Sequence, residues 1–260
     1  MIILFFVRQG KGAIKCFCEL KSWRVIMSGE NYTAVFPMVV SPSNQAWTYM
    51  IAEDKGDGSK SLTPFGGSVD RGVKVSISAD AILKKQSHGV FSSLSPHSTG
   101  GNLRYPVSSH TLKNEYLTQI APCSLDDGRT ARVHAVKVYA GENLGQDRED
   151  RFIKDYRQEK SKSSSTSSLR SEDMVRVEID NIVTQFLNTT IGRGHHSLRA
   201  YGEDLRDMRI GTRMGLSSLS EDILGDRRVL LALSQTADEL KAMNPCAPRE
   251  EGARSRLFEG

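Results

Sequence analysis

Cysteine is scarce in this 260-residue chain: Cys16, Cys18, Cys123 and Cys246 are too few and too scattered for a disulfide framework or a four-thiolate zinc site. Cys16 and Cys18 stand closer together than the usual metal-binding pair, so reduced thiols in a cytoplasmic setting are the expectation. Long apolar runs are missing too. The opening MIILFFV spans seven residues, is followed by RQGKG and has no basic region in front, which is too short for a membrane span and the wrong pattern for a secretory signal. The bulk of the chain also lacks a charge excess. Arg8, Lys11, Lys15, Lys21 and Arg24 against Glu19 give the first 26 residues the whole net charge of +4. A neutral remainder lacks the clustered Lys and Arg that grip a nucleic-acid backbone, so no nucleic-acid partner is expected. The seven arginines between Arg193 and Arg228 are interleaved with Glu203, Asp204, Asp207, Glu221, Asp222 and Asp226, which reads as a solvated, salt-bridged surface.

What is present is the material of an ordinary soluble protein, 38% hydrophobic and 25% charged, long enough for one large domain or two small ones. No internal repeat is visible. Residues 1–26 differ from the rest in being apolar and basic, and are expected to be dispensable for folding. They read as an extension ahead of a start at Met27, as a buried edge strand or as a membrane-surface anchor.

From Tyr32 to Ser41 and from Ala46 to Glu53, two runs rich in β-branched and aromatic residues flank the turn PSNQ and predict a hairpin. A polar loop, Asp54 to Ser61, leads into LTPFGGSVDRG. After it, Ser76 or Ser78 as N-cap, an apolar stripe of Ile77, Ala81 and Ile82, and Gly89 as a stop predict a short helix. Val90 to Arg104 reads as loop or lid, and His110 to Ile120 as helix or strand. ARVHAVKVYAG, Ala131 to Gly141, reads as a strand after the turn DDGR. The charged, serine-ended stretch that follows reads as a flexible linker or exposed loop. MVRVEI and DNIVTQFLNT read as strand then helix with Asp180 as N-cap, in competition with one continuous helix from Ser171 to Thr190. Ser218 and Glu221 suggest a capping box for a helix to about Met243 that buries Leu230, Leu233, Ala237 and Leu240.

The adjacent glycines of LTPFGGSVDRG are the most suggestive local feature. Between a strand and a helix such a pair lets backbone turn sharply and approach a ligand closely, although a plain surface turn uses the same residues. With the surrounding order of elements, PFGGSVDRG (Pro64 to Gly72) resembles the opening of the Nudix hydrolase signature. Gly66 and Gly67 match the glycine pair, Gly72 the next glycine, Ala79-Asp80-Ala81 the small-residue part of the signature helix, and Gly89 its terminal glycine. The resemblance covers about Tyr32 to Leu187. It implies an α+β fold, a Nudix-like mixed sheet flanked by helices, with an added C-terminal helical segment. The implied division is an extension at 1–26, a Nudix-like domain at 27–192 with a flexible serine-rich insertion near 145–171, and a C-terminal helical segment and tail at 193–260.

Family enzymes hold divalent metal against a diphosphate with glutamates that this chain does not carry. Val73 stands where the first belongs. Counted back from Gly89, Ile82 and Leu83 replace an Arg-Glu, and Gln86 and Ser87 replace a Glu-Glu. Mg²⁺ needs hard oxygen ligands in near-octahedral geometry, which Leu, Gln and Ser do not supply, and Lys84 and Lys85 reverse the local sign. The resemblance therefore implies a degenerate signature, no cofactor, and a nucleotide-like small molecule bound by Gly66, Gly67, Arg71 and Lys84. In an active pyrophosphohydrolase, Asp70 and Asp80 would instead be the relocated carboxylates and Mg²⁺ the metal, with Glu115 or Glu142 as helpers. A third reading is a protein-interaction scaffold acting through its serine-rich segment and C-terminal helix. His88 beside Gly89 reads as a phosphate contact, a base or a capping histidine. The adjacent His195 and His196 diverge and make a poor metal pair.

Overall fold

The computed structural model describes residues 31–41, 43–69, 75–91, 117–119, 122–138, 150–163, 172–188, 196–202 and 211–242. Strands β1 (Asn31–Val40) and β2 (Ala46–Asp54) form the expected hairpin, with Val39 opposite Trp47, and Asn44 takes the left-handed conformation in its turn. Beyond Met38 and Thr48 the two strands part. Strand β3 (Lys60–Thr63) takes up the free edge of β2, and β4 (Phe65–Val69) takes up that of β1. Pro64, which has no N–H to give a ladder, stands between them at the change of partner.

Strand β7 (Thr130–Lys137) runs parallel to β1 along its other edge, and β5 (Leu117–Gln119) and β6 (Cys123–Ser124) pair with β7. On the far side, β8 (Asp173–Glu178) pairs with β2, followed by β9 (Ser197–Tyr201) and β10 (Thr212–Leu216), which is parallel to β3. The ten strands make one mixed sheet, and β2, β8, β9, β10 and β3 form a closed circuit of pairings within it.

Alternation along the central strands feeds two cores, one on each face. Ala34, Phe36 and Met38 of β1, Ala46 and Met50 of β2, and Ala131, Val133 and Ala135 of β7 share the first core. Helices α3 (Ile179–Asn188), α4 (Ser218–Leu224) and α5 (Arg227–Ala242) cover it. Val35, Val39, Trp47, Tyr49, Ile51 and Val136 point the other way, into a more aromatic core with Phe65, Phe91, Phe152 and Tyr156. Helices α1 (Val75–Gln86) and α2 (Arg151–Ser163) cover that face. The architecture is α+β, as expected.

Four expectations need correction. Gly66 and Gly67 lie inside strand β4 and not in the turn after it. The segment read from its charges as linker or exposed loop contains α2, whose Phe152, Ile153 and Tyr156 are fully buried; three apolar anchors at helical spacing outweigh a polar composition. The described residues beyond 193 are not an appended helical segment, because β9 and β10 join the sheet and Leu198, Leu216, Leu230 and Leu233 share a core with β1. The last helix is broken at Gly225-Asp226, and Ser217, not Ser218, caps α4 by accepting from the Ser220 N–H. Leu230, Leu233, Ala237 and Leu240 are buried as expected. Strand-then-helix holds over 173–188, although α3 starts one residue before Asp180. Residues 1–26, residues 92–104 of the stretch read as loop or lid, and the serine run after Ser163 lie outside the described residues. Among those described, no helix is long and apolar enough to cross a membrane.

Candidate functional site

Neither glycine of the pair has the positive φ that would explain it as a turn residue. Gly66 has a steric reason. A Cβ there would lie 2.3 Å from the Tyr32 hydroxyl and 2.7 Å from the Thr33 carbonyl oxygen, so only glycine lets β4 lie against β1 at this point. Gly67 is different, since its Cβ would meet Ile82 of α1 at an ordinary 3.6 Å.

The helix is tied to this strand by Gln86. Its Oε1 accepts from the Gly66 N–H at 2.7 Å and its Nε2 donates to the Gly66 carbonyl at 2.6 Å. That reciprocal pair needs a side chain that both donates and accepts, which an ionised carboxylate cannot do. The neighbouring α1 positions are equally committed. Leu83 is buried in the aromatic core, Ile82 covers Gly67, and the Ser87 Oγ accepts from the Phe91 N–H at 3.0 Å. Gly89, with φ 84°, closes the helix by donating to the Lys84 carbonyl at 2.8 Å. Ser76 and Ser78 lie inside α1, so neither precedes it as a cap.

Among the residues expected to form a site, Lys84 is exposed on the last turn of α1 and Asp80 is part-buried one turn earlier, on the same flank. Asp70, Arg71, Val73, Glu115, Glu142 and His195 lie outside the described residues. His88 takes φ 51° and sets its ring edge-on to Tyr156 at 5.2 Å, and burial followed by the nearby Lys160 charge lowers its pKa. His196 is buried against Glu221, Nδ1 to Oε2 2.7 Å, with its ring stacked on Phe186. No group of three or more His, Cys, Asp or Glu able to hold a metal ion is assembled among the described residues.

The sheet beside β4 carries polar groups that no local motif announces. Gly67 is the register partner of Thr33, Thr33 of Arg132, and Val35 of His134. These residues point to the face covered by α1, opposite Ala34, Val133 and Ala135. His134 is 2% exposed, and among the described residues neither of its ring nitrogens has a hydrogen-bond partner. The buried Thr33 Oγ1 and Arg132 Nε are likewise without one. Burial, and then the Arg132 charge, lower the His134 pKa to about 4, so the ring is neutral at physiological pH. The signal in the sequence was Arg and His at alternate positions in an otherwise small and apolar strand.

Toward the other end of the same face, Asp150 is buried and caps α2, accepting from the Phe152 and Ile153 N–H groups at 3.0 and 3.3 Å. Its other oxygen accepts from the Tyr49 hydroxyl at 2.9 Å and faces the Arg176 guanidinium at 3.5 Å. Burial raises the Asp150 pKa against the opposing pull of Arg176 and the Tyr49 hydrogen bond. Arg176 lies over the Trp47 ring at 4.5 Å, and Tyr201 meets that ring edge-on at 5.3 Å.

No protein-family model and no curated protein matches the chain. Among solved structures, the chain is similar to a crystal structure of an ADP compounds hydrolase, with 14% identity over 63% of this chain and a TM-score of 0.33. It spans 65% of that protein's length. It is also similar to a MutT/nudix family protein from Enterococcus faecalis, with 12% identity over 85% of this chain and 68% of the other and a TM-score of 0.40. At these TM-scores the likeness assigns neither a fold nor a ligand.

Proposed function

We propose that the chain is a Nudix-like domain that binds a phosphate-bearing, nucleotide-like small molecule without a metal centre on α1. The observation that carries this reading is the Gln86 clamp on Gly66: the helix position that would present a carboxylate to a diphosphate is a neutral amide consumed by backbone hydrogen bonds. Ile82 and Leu83 sit in packing roles, so the α1 residues at these positions do not fit Mg²⁺. The Nudix-like assignment itself is supported by the order hairpin, glycine strand, helix, and a strand parallel to the first. Arg71 and Lys84 are the residues proposed to bring positive charge to the phosphates.

Calorimetry with a panel of nucleoside diphosphates, with and without Mg²⁺, tests the reading. Binding that Mg²⁺ does not strengthen, and that Arg71→Ala or Lys84→Glu weakens several-fold, is the expected result. Rapid Mg²⁺-dependent turnover abolished by Asp70→Asn or Asp80→Asn would overturn it in favour of a hydrolase with relocated carboxylates. An absence of binding to every member of the panel would overturn it in favour of an interaction scaffold.

A further inference from the structure

The polar row on β1 and β7 has no role in the packing just described. Thr33 and Arg132 are lateral partners across the parallel pair, and His134 follows two residues along β7 on the same face. Register partners on adjacent strands lie about 5 Å apart, so the three side chains share one small patch. Two of the three are almost wholly buried, Thr33 at 0% and His134 at 2% exposure, and each presents polar atoms that no described residue satisfies. Arg132 is only part-buried, so the row reaches solvent through it. Buried groups of this kind are costly to leave unmade, and apolar residues of the same shape would pack here without that cost.

We propose that Thr33, Arg132 and His134 form an anion-binding subsite that takes one oxyanion group of a phosphate-bearing ligand, with the Arg132 guanidinium as its charge and the Thr33 hydroxyl and a His134 N–H as neutral donors. Arg132 supplies the attraction that a neutral imidazole and a hydroxyl do not. The lowered pKa of His134 keeps one ring nitrogen free as an acceptor, which suits a ligand hydroxyl beside the anion. The choice of a phosphate group rests on the proposed ligand class, while the site rests on the unpartnered atoms themselves.

The experiment measures two properties of the same variants of the full chain: affinity for inorganic pyrophosphate and for ADP, and the thermal midpoint without ligand. Arg132→Gln, Thr33→Val and His134→Leu should each weaken both ligands, Arg132→Gln by about a hundredfold and the others by about tenfold. In the absence of ligand, Thr33→Val and His134→Leu should raise the midpoint by roughly 2–4 °C, because they remove unmade hydrogen bonds without opening a cavity. That opposition of gain in stability and loss in binding is what a purely structural role, with the atoms satisfied by internal water, would not give. A lowered midpoint with unchanged affinity overturns the subsite and leaves the proposed function standing. Tight pyrophosphate binding through these residues with no added affinity for ADP supports the subsite and overturns the nucleotide part of the proposed function. No binding of either ligand by the unmodified chain overturns both.

Discussion

The two faces of the sheet handle buried polarity in opposite ways. On the face covered by α3, α4 and α5, the buried polar side chains are paired. Thr48 donates to the Pro37 carbonyl, Lys137 meets Glu239, His196 meets Glu221, Ser220 donates to the Leu62 carbonyl and Thr236 to the Ala232 carbonyl. On the face covered by α1 and α2, alternation places Thr33, Trp47, Thr63, Arg132, His134 and Arg176, which among the described residues carry every buried side-chain atom without a hydrogen-bond partner. Each such atom costs on the order of 1–3 kcal/mol if nothing meets it. Among the described residues, unmet buried polarity is therefore confined to one face, which also holds the satisfied Asp150 and Ser87. That asymmetry directs attention to the sheet beneath α1 rather than to the glycine turn.

The largest expected effect concerns how α2 is held on the costly face. Asp150 joins two N–H groups of the helix, the Tyr49 hydroxyl and Arg176 in one buried carboxylate. Asp150→Ala removes all of these and leaves the guanidinium facing an apolar wall, so urea denaturation should show a loss of about 3–5 kcal/mol. Asp150→Asn keeps a capping oxygen and should lose less. A loss below about 1 kcal/mol for the alanine variant would mean that the aromatic anchors alone seat the helix.

Next in size is a pH effect. The folded-state pKa of His134 is lowered from 6.5 to about 4, so between those values the unfolded chain binds a proton that the folded chain refuses. Stability from this group is present above the unfolded value and is lost as pH falls from about 6.5 to about 4, by about 3 kcal/mol in all. Denaturation midpoints measured across that window should fall in the unmodified chain and fall less in His134→Leu. Equal slopes in the two proteins would show that the imidazole is not held neutral.

The glycine pair gives the third test, because its members differ in their surroundings. Gly66→Ala forces β4 off Tyr32 and the Thr33 carbonyl and should cost about 1–3 kcal/mol, whereas Gly67→Ala meets only an ordinary contact with Ile82 and should be near neutral. If Gly67→Ala left folding intact yet impaired ligand binding, the ligand would lie against β4 beside Thr33, its register partner.

Hairpin, glycine stop and buried helix face were legible because each is written in local residues: the alternation over 32–53, Gly89 at φ 84°, and the spacing of Leu230, Leu233, Ala237 and Leu240. Helix α2 was hidden, because its three anchors are diluted by ten other residues that are mostly charged, and only the sheet shows that Phe152, Ile153 and Tyr156 have somewhere to go. Membership of β9 and β10 in the sheet depends on partners far away in the chain, which no local pattern states. The reason for Gly66 was equally remote, since it lies in Tyr32 and not in the turn chemistry of its neighbours. His134 was partly legible. A period-2 reading places it with Arg132, but only the fold shows that His134 is buried on that side with neither ring nitrogen partnered, beside an Arg132 whose Nε is also unmet.

The smallest expected effect tests the Gln86 clamp that ties α1 to the costly face. Gln86→Glu places an acid at the helix position that clamps Gly66, and the change is nearly isosteric. At neutral pH the new carboxylate still accepts from the Gly66 N–H, but it loses the donor to the Gly66 carbonyl and sets two acceptors against each other. A loss of about 1 kcal/mol is expected by urea denaturation. The protonated acid can donate again, so the carboxyl pKa should lie higher in the folded chain than in the unfolded one. The stability it contributes is then present at low pH and lost as pH rises through the carboxyl range. Added Mg²⁺ should leave this deficit unchanged, because the neighbouring Ile82, Leu83 and Ser87 offer no second ligand and Asp80, six residues back on α1, lies on a different face from position 86. If Mg²⁺ restored the midpoint of Gln86→Glu, other acids would have to lie within reach of the helix, and the reading of α1 as a purely structural clamp would fail.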